Sequence, residues 1–227
     1  MSCSGFLGLA HLYRGLSTIL CTTTYNLLPT TCYTIYMKLE RITISVSGAA
    51  EIAHCGPSVI PIAKELGREI ARQGAQIITG ATSGFPLYAA EGAKEVGGFS
   101  FGLSPAASKK EHVEVYRLPT KAMDAIIYTG FGFPGRDLML IRSSDAVVIG
   151  CGRIGTIHEF TVAWEANMPL GVLEGEWATD EVIRNIIANS NRSNPNVIFE
   201  KDPKKMVERL IKMVRDKEGN GEREMRL

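Results

Sequence analysis

The chain has 227 residues, enough to bury a full hydrophobic core within one domain. Its net charge is +1, which argues against a dedicated nucleic-acid binder, because such proteins carry a surplus of basic residues on one face. The near-neutral balance still allows a small anionic ligand. The sequence contains no uninterrupted run of about 18 or more apolar residues, so we expect no stable membrane insertion.

The sequence contains five cysteines, Cys3, Cys21, Cys32, Cys55 and Cys151. An odd number fits no closed set of disulfides, and no pair has the spacing of metal ligands. We therefore expect no metal site and a reducing, cytoplasmic location. Cys55 and Cys151 fall in predicted glycine-containing loops, where either small apolar side chains or a reactive thiol would fit.

Residues 1–36 are rich in Thr, Leu, Tyr and Cys, are nearly free of charge, and show no helical or strand period. We interpret them as a poorly packed extension, or as a segment that precedes a physiological start at Met37. A well-patterned domain is predicted over residues 37–217, followed by a mobile tail over 218–227.

From Arg41 onward, short β-branched runs alternate with helical stretches. Strands are predicted near 41–47, 75–80, 99–105, 145–150, 169–175 and 196–202, and helices near 57–76, 85–98, 136–144, 156–168, 178–190 and 203–217. Residues 106–135 are less regular, although 125–128 carry a strand signal. The strands are continuous apolar runs, which is typical of strands covered on both faces. The order predicts an α/β fold: a single Rossmann-like, doubly wound, mostly parallel sheet with helices on both faces.

Ligands of such sheets bind outside the carboxyl ends of the strands. Three predicted strand ends carry glycine and hydroxyl residues that form candidate phosphate-binding loops, because glycine exposes backbone N–H groups and a helix N-terminus favours anions. The alternative for each loop is a simple tight turn. The candidates are Ser47 and Gly48; Gly80, Thr82, Ser83 and Gly84; and Gly152, Arg153, Gly155 and Thr156.

Residues 150–155 also match the spacing G-x-G-x-x-G of dinucleotide-binding loops. However, they lie in the fourth or fifth strand–helix unit, and no acidic residue about 20 positions later has a clear strand-end position. The sequence therefore predicts no nicotinamide or flavin cofactor. Two further side chains have simple interpretations: Thr179 is a candidate helix cap, and His54 and His112 are expected in solvated polar loops.

The segment "GRIGTIHE" resembles the G-G-x-G-T-x-x-E motif of the LOG family, the cytokinin-activating phosphoribohydrolases. Upstream, "GRDLMLIRSSDAVVI" is similar to the family's arginine-containing helix and the strand after it, and "TGATSGFPLYAAEGA" to its earlier glycine-rich segment. The resemblance covers most of residues 40–215. It extends to the LOG-like and molybdenum-cofactor-carrier-like proteins of prokaryotes.

The resemblance implies that Gly152, Gly155 and Thr156 hold the 5′-phosphate of a nucleotide. It also implies that Arg136 and Glu159 are catalytic, that the N-glycosidic bond of a nucleoside 5′-monophosphate is hydrolysed, and that the chain forms a homodimer. A carboxylate suits this chemistry, because bond cleavage leaves positive charge on the ribose ring that the carboxylate can stabilise.

The chain departs from the family pattern at several positions. Cys151 stands where the motif usually has proline, Arg153 replaces a glycine, and Asp137 replaces the lysine that usually follows the catalytic arginine. These changes bear on turnover and base recognition more than on phosphate binding. The alternative function is therefore a carrier or sensor that binds a nucleotide or the molybdenum cofactor without hydrolysis. His158, beside Glu159, is an alternative acid–base residue.

Overall fold

The computed structural model describes residues 41–219. The predicted N-terminal extension, its boundary at Met37, and residues 220–227 of the predicted tail lie outside the described residues. The last helix continues to Gly219, so residues 218 and 219 belong to it.

The described residues form one sheet of seven strands in the order β4-β3-β2-β1-β5-β6-β7. Every neighbouring pair is parallel, which confirms the predicted α/β Rossmann-like fold. The strands are β1 (Thr43–Ser47), β2 (Gln76–Thr79), β3 (Ser100–Ser104), β4 (Ala125–Tyr128), β5 (Ala146–Ile149), β6 (Leu170–Leu173) and β7 (Val197–Glu200).

Six α-helices accompany the sheet in the described part of the chain: α1 (Val59–Arg72), α2 (Phe85–Glu95), α3 (Gly132–Arg142), α4 (Ile154–Glu165), α5 (Thr179–Asn189) and α6 (Pro203–Gly219). Helix α1 packs against α2 and α6, whereas α3 packs against α4. None of these helices combines the length and apolar character that crossing a membrane requires.

Strand β5 shows why both faces of the sheet are covered. Val148 belongs to the apolar cluster that contains residues of α1, α2 and α6. Its neighbours Val147 and Ile149 point to the opposite face, into a cluster with residues of α4 and α5. All of these side chains are fully buried, as expected for a parallel strand between two helical layers.

Strands β1 and β5 lie side by side at the centre of the sheet, with Ser47 opposite Ile149. From β1 the chain extends in one direction through β2, β3 and β4, and it then returns to place β5, β6 and β7 on the other side. The strand order therefore reverses between β1 and β5. A crevice opens at such a reversal, because the following loops lead away to opposite sides.

Several local predictions were wrong. Helix α3 begins at Gly132, so Arg136 lies one turn inside the helix and not at its start. His112 is fully buried in a π-helical turn, where Ser104 Oγ lies 2.8 Å from Nδ1 and the Pro119 carbonyl 3.0 Å from Nε2. Thr179 is the first residue of α5 and Ala178 occupies the N-cap position, and the Thr179 hydroxyl bonds to Gly152 instead.

The contact between α1 and α2 requires two glycines. A Cβ atom on Gly67 would collide with the carbonyl oxygen of Ala89, and a Cβ on Gly92 would collide with that of Lys64. The two backbones therefore touch directly, and no rotamer change of a side chain can relieve a substitution.

We expect Gly67→Ala and Gly92→Ala each to lower the free energy of unfolding by roughly 1–3 kcal/mol, the cost of overpacking a close contact. Urea denaturation of the full chain measures this. The control is Gly155→Ala in the first turn of α4, where an added Cβ meets no atom within 4 Å. Equal stability of all three variants would contradict the described packing.

Candidate functional site

A cleft of about 330 Å³ opens at the carboxyl ends of β1 and β5. This volume is within the range of small-molecule sites. Its walls come from the loops after β1 and β2, from α3, and from the start of α4. Of the residues predicted for the site, those that line the cleft are Ser47, Gly48, Gly80, Thr82, Arg136, Arg153, Gly155, Thr156 and Glu159.

The other three predicted residues, Ser83, Gly84 and Gly152, are not among the lining residues and shape the loops behind the cleft. Ser83 Oγ donates a hydrogen bond to the Ala50 carbonyl at 3.1 Å, and Gly84 adopts a φ of +70°. Gly152 is held on both sides by Thr179, whose hydroxyl accepts from the Gly152 N–H at 2.8 Å and donates to its carbonyl at 3.0 Å. Thr179 therefore anchors the loop before α4.

The start of α4 is suited to bind an anion. Arg153 occupies the N-cap position without a side-chain capping bond, and the N–H groups of a first helical turn have no partner within the helix. The Thr156 hydroxyl makes no hydrogen bond to any described residue, although the residue is buried. Because nothing lies within 4 Å of a Cβ built on Gly155, a ligand can approach the backbone there. This end of the cleft is the candidate phosphate site.

A cluster of buried charged side chains occupies another part of the cleft wall. Arg136 Nη2 lies 3.2 Å from Asp137 Oδ1, and Arg136 Nη1 lies 3.8 Å from Glu159 Oε1. Ser47 Oγ donates a hydrogen bond to Glu159 Oε2. All four residues are more than nine-tenths buried, so their charges interact with little screening from water.

The position of Arg136 depends on Gly80. A Cβ at residue 80 would collide with Arg136 Nη1, so only glycine lets the guanidinium lie against the end of β2. The Arg136 Nε atom is buried and has no hydrogen-bond partner among the described residues. Arg136 thus retains one donor beyond its contacts with the two carboxyl groups.

Burial raises the pKa of Glu159 from 4.5 to about 7. Arg136 and the hydrogen bond from Ser47 lower it, while the neighbouring carboxyl of Asp137 raises it. Desolvation prevails because it penalises the charged form of a carboxyl with almost no access to water. Glu159 is therefore present in both protonation states near neutral pH.

Asp137 and His158 extend this cluster. His158 Nδ1 lies 2.9 Å from Asp137 Oδ2, and the His158 side chain is 43% exposed. His158 therefore contacts the cluster from its solvent side and does not line the cleft. The sequence indicated Asp137 only as a departure from the family pattern. Its place beside both Arg136 and Glu159 depends on the packing of α3 against α4, which no local motif shows.

Cys55 and Cys151 form a disulfide, so the prediction that the cysteines form no disulfide was wrong at this pair. The two positions are 96 residues apart in the sequence. They meet because the loops after β1 and β5 are neighbours, which the odd cysteine count could not show.

Residues 41–207 match the model of the SLOG cluster4 family. The chain belongs to this family. This SLOG protein is also 34% identical to an uncharacterised protein of Archaeoglobus fulgidus over 127 residues, which are 56% of the chain and 75% of that protein.

Two similar solved structures are the molybdenum cofactor binding protein of Rippkaea orientalis and the molybdenum cofactor carrier protein of Chlamydomonas reinhardtii. Both are 27% identical to the SLOG protein, with a TM-score of 0.62. The matches cover 79% and 78% of the present chain and 98% and 99% of those chains. These matches agree with the LOG-like resemblance of the glycine-rich segments, while the hydrolase activity stays a prediction.

The raised pKa of Glu159 predicts a pH-dependent stability. Because the folded state binds this proton more tightly than the unfolded chain does, the stabilisation is fully present below pH 4.5 and is lost as the pH rises through about 7. Relative to Glu159→Gln, we expect the wild-type free energy of unfolding to fall by on the order of 3 kcal/mol across this window. Urea denaturation at a series of pH values measures it, and a pH-independent difference would refute the assignment.

Proposed function

We propose that this SLOG protein binds a nucleoside 5′-monophosphate in the cleft and hydrolyses its N-glycosidic bond. The products are the free base and ribose 5-phosphate. The observation that carries the proposal is Glu159, a carboxyl group that lines the cleft, is 6% exposed, and is held by Ser47 and Arg136. Burial of this carboxyl disfavours its charged form and therefore does not stabilise the fold, which points to a functional role.

Helix α4 relates the phosphate site to this carboxyl. Gly155 and Thr156 lie in its first turn, and Glu159 lies four residues after Gly155 and three residues after Thr156. Residues at these spacings share one face of a helix. A ligand whose phosphate binds the first turn therefore extends along the same face towards Glu159, as the ribose of a nucleotide does.

Hydrolysis adds the hydroxyl of water to C1′ of the ribose and transfers the proton of that water to the departing base. Ionised Glu159 stabilises the positive charge that develops on the ribose ring, or accepts the proton of the attacking water. A pKa of about 7 suits the role of general base near neutral pH, because a general base is most effective when its pKa is close to the working pH. Arg136 and Ser47 keep the carboxyl in position.

The test incubates the full chain with adenosine, guanosine, cytidine and uridine 5′-monophosphates and measures free base by chromatography. We expect base release from at least one nucleotide, and a loss of about 10²–10⁴-fold in kcat for Glu159→Gln with nearly unchanged nucleotide affinity. Glu165→Gln is the matched control, because Glu165 lies on the same helix and pairs with Arg192 at the surface.

Base release from Glu159→Gln at the wild-type rate would overturn the catalytic role. If ionised Glu159 is the active form, kcat rises with pH up to about 7 and then levels. A rate that falls over this range would instead assign Glu159 as a proton donor.

Gly155→Ala tests the phosphate site separately. We expect nucleotide affinity to fall about tenfold or more, because a methyl group would occupy the space through which an anion reaches the backbone N–H groups. Stability should not fall, because the added Cβ meets no protein atom within 4 Å and alanine favours helix. Calorimetry with adenosine 5′-monophosphate gives the affinity, and an unchanged value would place the phosphate elsewhere.

A second candidate function is that of a carrier for the molybdenum cofactor, whose pterin also bears a phosphate. The similarity to the two molybdenum cofactor proteins favours it, and the same phosphate site would serve. Under this function the chain retains the cofactor through gel filtration, releases no base from nucleotides, and loses retention in Gly155→Ala. Ligand binding by the wild type without base release from any of the four nucleotides would favour the carrier over the hydrolase.

We further propose that the functional form is a homodimer. Exposed apolar side chains cluster on β4 and α3 and in the loop between them, namely Ile127, Phe131, Phe133 and Leu138. Phe133 also lines the cleft, so a second copy seated on this surface would reach the site. Sedimentation of the wild type and of Leu138→Asp tests the proposal, with a dimer expected for the former and a monomer for the latter.

A further inference from the structure

The Cys55–Cys151 disulfide lies beside the candidate phosphate site. Both side chains are fully buried, and their Cα atoms are 5.9 Å apart. Cys55 belongs to the loop after β1, which contributes Ala49, Ala50 and Glu51 to the cleft. Cys151 belongs to the loop after β5, which contributes Arg153. The bond therefore crosslinks two loops that form opposite walls of the cleft.

His54 joins this pair to Arg153. Its Nε2 atom lies 3.7 Å from both sulfur atoms, and its Nδ1 atom lies 3.2 Å from Arg153 Nη2. A guanidinium group only donates hydrogen bonds, so Nδ1 is the acceptor and the hydrogen of the neutral ring is on Nε2. The Nε2–H group is therefore directed at the sulfurs.

This arrangement fits a thiolate better than a metal ion. The side-chain ligand atoms of His54, Cys55 and Cys151 all lie within 4.8 Å of one another, which is the spacing of a possible metal site. A metal-bound histidine, however, offers one nitrogen to the metal and donates from the other. Here the nitrogen away from the sulfurs is an acceptor, so the nitrogen near them is a donor. A donor at this position stabilises a thiolate leaving group.

We propose that Cys55 and Cys151 form a reversible thiol–disulfide site that exchanges with small dithiols and sets the affinity of the cleft for its anionic ligand. Because both sulfurs are fully buried, exchange requires local opening of the two loops. One thiolate of the dithiol then attacks one protein sulfur and releases the other as a thiolate next to His54. The second dithiol sulfur then closes the reagent's own disulfide and releases the remaining protein sulfur. Two electrons and one proton pass from the singly ionised dithiol to the protein, which leaves one protein thiol and one thiolate beside His54.

Reduction weakens anion binding for two reasons. It removes the covalent link between the two loops. Their backbones are then joined by the hydrogen bond from Ala49 N–H to the Cys151 carbonyl at 2.6 Å, so the phosphate site is less pre-organised. It also places a thiolate near the His54–Arg153 pair, where it competes for the positive charge that an incoming phosphate needs. This coupling rests on the proposed function, because it assigns Arg153 to the ligand.

The experiment equilibrates the full chain in mixtures of reduced and oxidised dithiothreitol, alkylates free thiols, and locates them by peptide mapping. Mapping separates Cys55 and Cys151 from the other three cysteines. We expect both to change together and reversibly, and reduction to lower the affinity for adenosine 5′-monophosphate by about fivefold or more. Cys55→Ser should have the affinity of the reduced wild type in both conditions.

His54→Asn provides a positioning control and should slow reduction several-fold, because the leaving sulfur loses its N–H donor. The proposal is overturned if Cys55 and Cys151 do not change together, if His54→Asn is reduced at the wild-type rate, or if both redox states bind the nucleotide equally. Stoichiometric Zn²⁺ uptake by the reduced chain that blocks reoxidation would also overturn it. If no nucleotide binds in either state, the proposed function fails. The alkylation pattern and the reduction rate of His54→Asn then still show whether Cys55 and Cys151 form a reversible thiol–disulfide site.

Discussion

The adjacency of β1 and β5 is the constraint on which the site depends. Their register places Ser47 opposite Ile149, so the loops after both strands begin at the same depth. One loop continues to Glu51 and the other to the start of α4, and the cleft lies between them. Ser47 itself ends β1 and donates to Glu159 on α4. A different strand order would separate these groups, since each is on a different strand–helix unit.

Burial of Arg136, Asp137 and Glu159 costs free energy, because three ionisable groups leave water together. The structure limits this cost with one guanidinium between two carboxyls and with a Glu159 pKa of about 7, which lets that carboxyl accept a proton. The absence of a side chain at Gly80 gives the guanidinium its place. A buried charged cluster that destabilises the fold and lies on a cleft wall is more typical of a functional site than of a structural one.

The sequence predicted the strands and the glycine-rich loops because both leave local signals: continuous apolar runs in the first case, and small residues at strand ends in the second. Contacts between segments that are distant in the sequence leave no such local signal. Asp137 meets His158 across the α3–α4 contact, and Cys55 meets Cys151 across 96 residues. His112 is polar in an irregular segment, yet two hydrogen bonds satisfy its ring in the interior. Each depends on tertiary packing, which periodicity does not encode.

The glycine contacts between α1 and α2 have a mechanical consequence. Helix α1 follows the loop after β1, and α2 follows the loop after β2. With their backbones touching at Gly67 and Gly92, the two helices cannot slide or rotate past each other without steric overlap, because packed interiors deform little. The loops that lead into α1 and α2 therefore keep a fixed position relative to each other. Any widening of the cleft to admit or release a ligand is then a movement of this rigid wall as a whole relative to the wall carried by α3 and α4.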